Sequence, residues 1–313
     1  MQLNDSGSGW GKAYLTGAFV LAGTSVITGR LLGQHLGTFT IQAASLGIML
    51  AVLFPLYGGR IIRAVWGMSR DQWAGILLQA FFGMFAFRCL LLYGLPLTSA
   101  GEAGVLLGTT PAITALLARF VLKEPLYQGA VRGILCTVAG LALIQGGGDS
   151  LSWSHAAGNL LVLGAAASEA LFNMLAKKRQ SLDAVRNKEL HPMVQTFLVS
   201  GAAFLFSLLP AIVELPVQEL AACGVRQWLA LAWYGLVVTA VSYALFYRGV
   251  KRCDPYVTAA FSGVAPLTSM LVAMWLLQEQ LGWEQWLGGG FIMLGIGLIG
   301  SRVQGKLSVN AKA

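Results

Sequence analysis

Three ionisable side chains lie inside long apolar runs of this sequence, where a charge is costly. Glu169 lies near the middle of one run, Arg88 lies in the second part of another, and Glu102 lies close to the start of the run that follows. A charged side chain in an apolar surrounding usually has a counter-charge, a bound substrate or a moving proton to stabilise it. These three residues are therefore the first candidates for chemistry.

Glu169 has no evident partner in the sequence, and Phe172 and Asn173 follow it at the spacing of one helical face. Burial disfavours the charged form of a carboxylate. We therefore expect Glu169 to exchange protons or to bind the ammonium group of a substrate. The alternative is a carboxylate that accepts hydrogen bonds from hydroxyl groups of neighbouring helices.

Arg88 and Glu102 lie on consecutive apolar runs at similar predicted depths, because a helix rises about 1.5 Å per residue and the two runs have opposite directions. One interpretation is a structural ion pair on one side of a cavity. The other is that Arg88 binds an anionic group of a substrate.

Hydroxyl side chains on other apolar runs could extend a polar surface around these charges. The candidates are Ser25, Thr28, Thr110, Ser262 and Tyr243. A single hydroxyl in such a run more often packs one helix against another. Together, however, they would be able to line a polar cavity.

The elements that hold these residues are predicted to be membrane-spanning helices. Hydrophobic residues make up 56% of the chain and charged residues 11%, whereas an average soluble domain has about 25% charged residues. The apolar residues form ten runs near the roughly 20 residues that cross a bilayer as a helix. The predicted spans are 13–31, 39–58, 73–95, 98–122, 128–146, 157–177, 193–213, 228–247, 256–278 and 284–301.

Metal, nucleotide and nucleic-acid chemistry have no support in the sequence. The HExxH and P-loop motifs and clusters of Cys and His are absent, and the four cysteines are scattered, as free thiols would be. We therefore predict no metal site and no cofactor. The net charge of +8 is explained by the placement of Lys and Arg along the chain, so it does not indicate a nucleic-acid partner.

The 21 Lys and Arg residues predict the orientation of the chain. If the N-terminus is cytoplasmic, most of them fall in cytoplasmic segments, whereas Arg30 and Arg226 lie on the outer side. Cytoplasmic loops of membrane proteins carry such an excess of positive charge. Both termini are therefore predicted to be cytoplasmic, which agrees with an even number of spans.

The two halves of the chain repeat each other at one constant offset. The matching pairs are Gly94 and Gly249, Pro111 and Pro266, Glu124 and Glu279, Leu126 and Leu281, Gly133 and Gly288, Gly140 and Gly295, and Leu143 and Leu298. Each half has five predicted spans, so the second half must enter the membrane from the opposite side. This pattern is typical of the inverted repeats of secondary transporters.

Pro111 and Pro266 are predicted to lie in the middle of their spans. A proline inside a helix removes one backbone hydrogen bond and kinks the helix. The two kinks could act as hinges or could fix a static bend.

The repeated segments resemble the EamA-type repeat of the drug/metabolite transporter superfamily. The first half carries Phe87-Arg-Cys-Leu-Leu-Leu-Tyr-Gly-Leu, Thr109-Thr-Pro-Ala-Ile-Thr-Ala-Leu-Leu-Ala and Leu122-Lys-Glu-Pro-Leu, and the second carries Ala265-Pro-Leu-Thr-Ser-Met-Leu and Leu277-Gln-Glu-Gln-Leu. The resemblance covers nearly the whole chain. It divides the chain into an N-terminal tail (1–12), two five-helix repeats (13–147 and 148–301) and a C-terminal tail (302–313).

The resemblance implies a ten-helix carrier with a central cavity between the repeats. Relatives move amino acids, other metabolites, nucleotide sugars or toxic cations. We therefore expect a multi-pass protein of the bacterial inner membrane that exports an amino acid or a related polar metabolite by alternating access, with protons as a candidate coupling ion. An efflux carrier for cationic drugs is the alternative, and a membrane-embedded enzyme or a subunit without transport activity is less favoured. The oligomeric state is not predicted.

Overall fold

The structure, a computed structural model, describes residues 5–121, 128–145, 153–185, 190–214, 216–253 and 261–300. In these ranges the regular elements are all helices, as predicted. The first half contains α1 (Asp5–Leu32), α2 (Thr38–Gly67), α3 (Arg70–Ala80), α4 (Phe87–Gly94), α5 (Ala100–Leu107), α6 (Thr110–Val121) and α7 (Gln128–Gln145). The second half contains α8 (Trp153–Val185), α9 (Pro192–Val213), α10 (Pro216–Ala221), α11 (Val225–Ala232), α12 (Ser242–Val250), α13 (Val264–Leu276) and α14 (Trp283–Gly300).

Two π-helical segments join helices end to end. Phe81–Ala86 connects α3 with α4, and Trp233–Val241 connects α11 with α12. When the first π-helical segment is shifted along the sequence by the repeat offset, its residues fall within the second segment. Such segments are rare overall but frequent at functional sites. Each of them ends two residues before a predicted site residue, Arg88 or Tyr243.

Within the residues that the structure describes, six helical stretches are long and apolar enough to cross a membrane. They are Gly9–Leu32, Thr38–Gly67, Arg70–Leu97, Ala156–Ala176, Pro192–Val213 and Val225–Val250. Two shorter apolar helices, Val131–Gly140 and Val264–Leu276, accompany them. Large apolar side chains such as Leu56 and Leu209 point outward from these stretches. The chain is therefore an integral membrane protein whose outer surface suits lipid.

The helices extend beyond the apolar runs that predicted them. α1 begins at Asp5, so residues 5–12 of the predicted N-terminal tail belong to the first helix. α8 continues to Val185, past the predicted limit near residue 177. Polar residues can continue an existing helix because each added residue gains a backbone hydrogen bond. The predicted C-terminal tail, residues 302–313, lies outside the described residues.

The predicted fourth span is interrupted between α5 and α6. The N–H groups of Gly108 and Thr109 donate to carbonyls three residues earlier, Val105 at 2.9 Å and Leu106 at 3.0 Å. This spacing is tighter than that of an α-helix and ends one helix before the next begins.

The prediction that Pro111 and Pro266 lie in the middle of helices is wrong for the helices observed. Pro111 lies in the first turn of α6 and Pro266 in the first turn of α13. The first-turn N–H groups of a helix have no partner within that helix, so proline costs little there. The interruptions lie just before the prolines, at Gly108 and at Gly263, the residue that precedes α13. These two glycines are related by the repeat offset.

Helices of the two halves pack against each other along their lengths. α1 packs against α12 and α13, α2 against α9, α4 and α6 against α8, α5 against α13, and α7 against α14. At Gly23 the contact between α1 and α13 is close, because a Cβ atom there would lie 2.6 Å from the Ala265 carbonyl oxygen. Ser269 Oγ donates a hydrogen bond to the Gly23 carbonyl at 2.6 Å. Small residues of this kind allow helices to approach closely in membranes, and they set the walls of the cavity described next.

Candidate functional site

A cavity of about 90 Å³ lies between helices of both sequence halves. A cavity needs a volume of roughly 10–15 Å³ to hold one water molecule, so this cavity has room for several waters or a small solute. The predicted site residues on its wall are Ser25, Arg88, Thr110, Glu169, Phe172, Asn173, Tyr243, Ser262 and Pro266. The structure therefore brings most of the predicted site together.

Arg88 is buried, and its guanidinium contacts only uncharged groups. Nη1 donates to Ser45 Oγ at 3.3 Å and Nη2 donates to Thr239 Oγ1. The guanidinium carbon also lies 4.3 Å from the centre of the Tyr234 ring, a cation–π contact. Within the described ranges, Arg88 makes no ion pair with an acidic side chain. Its positive charge is thus available to a ligand in the cavity.

Glu169 meets the cavity from α8, and its carboxylate oxygen lies 3.1 Å from Thr110 Oγ1. The same Thr110 hydroxyl lies 2.8 Å from the Leu107 carbonyl oxygen. A threonine hydroxyl has one hydrogen to donate. If Thr110 donates to Leu107, it can only accept from Glu169, and then Glu169 must carry a proton. The site therefore connects the protonation of Glu169 to the hydrogen bonds of the loop between α5 and α6.

Aromatic side chains form one wall of the cavity beside Glu169. The ring centres of Phe172 and Tyr243 are 5.6 Å apart, and those of Phe172 and Phe246 are 6.2 Å apart. Tyr243 donates its hydroxyl hydrogen to the Gly83 carbonyl in the first π-helical segment at 2.9 Å. The hydroxyl of Tyr243 is therefore already used within the protein, whereas its ring faces the cavity.

Most of the remaining cavity wall is apolar. It includes Ala18, Ala22, Val26, Leu107 and Val238. On one side the wall continues into a buried hydrophobic cluster that contains Val26, Leu106, Tyr234 and Val238. A solute with both charged groups and an apolar side chain would match this mixed lining.

Three predicted site residues lie elsewhere. Glu102 is buried, but its oxygens bind Thr98 Oγ1 at 3.0 Å and Asn159 Nδ2 at 2.9 Å. Thr28 donates to the Thr24 carbonyl in its own helix at 2.9 Å. These two residues and Pro111 are not on the cavity wall. Arg88 and Glu102 thus have different partners, although their depths were predicted to match.

Tyr234 is one of the cavity residues that the sequence did not single out. Its side chain is 0% exposed, it lines the cavity and it lies under the Arg88 guanidinium. A tyrosine in an apolar run gives little signal, because its ring packs like any other aromatic residue. The nearest signal is the repeat, whose offset makes Arg88 and Tyr243, in the span that also holds Tyr234, equivalent positions.

Charges are distributed unequally between the two ends of the bundle. Burial and then the nearby cations Arg60, Arg248 and Lys251 lower the pKa of His191, so basic residues of α2, of α12 and of the turn after α12 lie near His191 at one end. Elsewhere, acidic residues of second-half loops cap first-half helices. Thr40 N donates to Glu214 at 2.7 Å, and Ala100 N and Gly101 N donate to Glu279 at 3.0 and 2.8 Å. Carboxylates at helix N-termini form strong, charge-assisted hydrogen bonds.

Comparisons with known proteins agree on one family. The profile of the EamA-like transporter family matches residues 9–146 and 156–301. The chain is 28% identical over 285 residues to the "Uncharacterized transporter YetK" of Bacillus subtilis, covering 90% of this chain and 84% of the relative. It is 29% identical over 232 residues to the "Probable amino-acid metabolite efflux pump" of Escherichia coli, covering 71% of this chain and 74% of the relative. A crystal structure of another protein superposes with a TM-score of 0.62 at 17% identity, covering 97% of this chain and 99% of that chain.

Proposed function

Because the chain belongs to the EamA-like transporter family, it is a membrane transporter and not an enzyme, and we propose that it carries a small zwitterion, a neutral amino acid, through the described cavity. The observation that carries this proposal is the pair of oppositely charged groups that line one cavity. The Arg88 guanidinium and the Glu169 carboxylate both line the cavity, and each is hydrogen-bonded to hydroxyl groups instead of to the other.

A zwitterion would compensate both groups at once. Its carboxylate would bind near Arg88 and its ammonium near Glu169, while its side chain would contact the apolar wall. A purely cationic drug would bind beside Glu169 but would bring a second positive charge close to Arg88, which disfavours it. The name of the relative in Escherichia coli, an amino-acid metabolite efflux pump, points to the same class of substrate.

We further propose that the chain forms ten spans in two inverted five-helix repeats with both termini cytoplasmic. Two observations support this arrangement. The π-helical segments and the interruptions at Gly108 and Gly263 recur at the repeat offset. The basic residues Arg60, Arg248 and Lys251 lie near His191 at one end.

Cysteine labelling tests this topology. In a protein whose four native cysteines are replaced by serine, Lys178→Cys and Lys306→Cys should react with a membrane-impermeant maleimide only after the cells are permeabilised. Gln218→Cys, which lies in exposed α10, should react in intact spheroplasts of a bacterial host. If Lys178→Cys and Lys306→Cys report opposite sides of the membrane, the inverted repeat and the cytoplasmic termini are wrong.

Transport of labelled substrates into proteoliposomes tests the function itself. We expect saturable flux of neutral amino acids with apolar side chains, and little flux of the matching amines or carboxylic acids, because each of these leaves one charge of the cavity unpaired. Liposomes without protein provide the background. Flux of cationic drugs together with background flux of every amino acid would contradict the proposal in favour of the drug carrier.

A further inference from the structure

The Tyr234 hydroxyl is a buried polar group that the protein leaves unsatisfied. Tyr234 is 0% exposed, and its hydroxyl has no hydrogen-bond partner among the described residues, a property shared there only with Gln285 Oε1. Buried polar groups nearly always have partners, and an unsatisfied one in a native structure calls for an explanation. Because Tyr234 lines the cavity, the missing partner can come from a ligand.

The surroundings of Tyr234 keep the Arg88 guanidinium in one place. Thr239 Oγ1 donates to the Tyr234 carbonyl at 2.7 Å. Both residues lie in the second π-helical segment, and their separation along the chain is that of a π-helical hydrogen bond. Ser45 Oγ is 3.2 Å from the Gln42 carbonyl, to which it donates. Both hydroxyls use their hydrogens in this way, so each is left to accept a hydrogen bond from Arg88. They orient the guanidinium without neutralising it.

Arg88 retains donors for a further ligand. A guanidinium has five N–H donors in a planar fork, and Ser45 and Thr239 take two of them. Among the described residues of the cavity wall, Arg88 is the one basic side chain. A single cation with free donors beside a phenol hydroxyl suits a planar, singly charged carboxylate, because two donors can bind its two oxygens.

We propose that Arg88 and the Tyr234 hydroxyl together form a carboxylate subsite, in which Tyr234 is the residue that distinguishes a carboxylate from an uncharged end group. This inference rests on the proposed transport of amino acids through the same cavity. A remaining N–H of Arg88 binds one carboxylate oxygen and the O–H of Tyr234 binds the other. The substrate then supplies the hydrogen-bond partner that the described residues do not give Tyr234.

Tyr234→Phe tests the subsite, because it removes one oxygen atom and keeps the ring under Arg88. The probes are 3-phenylpropionate, which has a carboxylate and no amine, and phenethylamine, which has an amine and no carboxylate. We measure their binding to the purified protein in detergent by ligand-induced shifts in melting temperature. For wild type we expect binding of 3-phenylpropionate, and for Tyr234→Phe a Kd for it that is about tenfold higher, the effect of losing one hydrogen bond to a charged group. The Kd of phenethylamine should be unchanged.

Tyr247→Phe is the matched control. Tyr247 is also a buried tyrosine of the same membrane span, but its hydroxyl has a partner in Gln79 Oε1 at 3.3 Å and it is not on the cavity wall. Without ligand, Tyr247→Phe should lower the melting temperature, whereas Tyr234→Phe should keep or raise it, because it removes an unsatisfied group. The Kd of 3-phenylpropionate for Tyr247→Phe should stay at the wild-type value.

The outcomes separate the subsite from the transport proposal. A wild-type Kd for 3-phenylpropionate in Tyr234→Phe would overturn the subsite, and so would an equal weakening of both probes, even if amino-acid flux is observed. Failure of wild type to bind 3-phenylpropionate would also overturn it. Binding that depends on Tyr234 in a protein without amino-acid flux would support the subsite and reject the amino acid as substrate.

Discussion

If Glu169 is the proton-exchanging group that its position in an apolar run predicts, Glu169→Gln should uncouple transport from a proton gradient. If one proton moves with each substrate, a gradient of one pH unit supports about tenfold accumulation, because about 1.4 kcal/mol corresponds to a factor of ten. Gln has nearly the same shape but cannot release or take up a proton. Proteoliposomes with the variant should therefore equilibrate the labelled amino acid without accumulating it, more slowly than wild type because the partner of the substrate ammonium is lost, and the rate should no longer vary with pH.

The reason lies in the hydrogen bonds of Thr110. With Glu169 protonated, the carboxyl can donate to Thr110, and Thr110 can donate to the Leu107 carbonyl, so every hydrogen has an acceptor. With Glu169 ionised, the carboxylate and the Leu107 carbonyl compete for one hydrogen. Loss of the proton thus favours a rearrangement at the interruption between α5 and α6, the part of the span best able to move. This connection is the reason to test Glu169 as a coupling group and not only as a binding group.

Glu102→Gln provides the comparison for Glu169→Gln. Glu102 is also a buried glutamate, but it binds Thr98 and Asn159 away from the cavity. Its replacement should lower the melting temperature while the pH dependence of flux is retained. An unchanged rate and an unchanged pH dependence in Glu169→Gln would reject the coupling role of Glu169.

The parts of the fold and site that could be predicted are those that leave a direct trace in the sequence. A charge inside an apolar run is conspicuous, so Arg88 and Glu169 were identified, and the helical spacing added Phe172 and Asn173. The apolar runs located helices, since a helix must bury its backbone polar groups in lipid. However, an interruption at one glycine does not change the hydropathy of an apolar run. The sequence therefore did not predict the division at Gly108, and it predicted Pro111 in the middle of a helix.

What the sequence could not supply is the direction in which a side chain points around its helix. Arg88 and Glu102 were predicted at similar depths, yet depth along the axis does not decide which neighbours a residue meets. The π-helical segments change the angular register by inserting extra residues into a turn. Tyr234 and Thr239 meet through such a segment, and no periodicity of 3.6 residues would have paired them. The carboxylate subsite is therefore a product of local backbone geometry more than of residue type.

Arg88 should be the residue whose replacement changes the substrate preference most. In Arg88→Gln we expect kcat/KM for neutral amino acids to fall about 100-fold or more, because truncating one partner of a buried charge contact typically costs about 2–5 kcal/mol. The Glu169 carboxylate remains, so the matching amines should be carried as well as before or better. The measurement is the ratio of amino-acid flux to amine flux in proteoliposomes.

Arg88→Lys separates charge from geometry at the same position. Lysine keeps the positive charge but lacks the planar fork that reaches Ser45 and Thr239 together. We expect intermediate amino-acid flux and no gain of amine flux, because the repulsion of a second cation is retained. Arg30→Lys is the control, since Arg30 donates to the backbone carbonyls of Leu95 and Thr98 and is not on the cavity wall. Amino-acid flux in Arg88→Gln equal to that of Arg30→Lys would show that the cavity does not use its buried cation for the substrate carboxylate, and the zwitterion proposal would have to be abandoned.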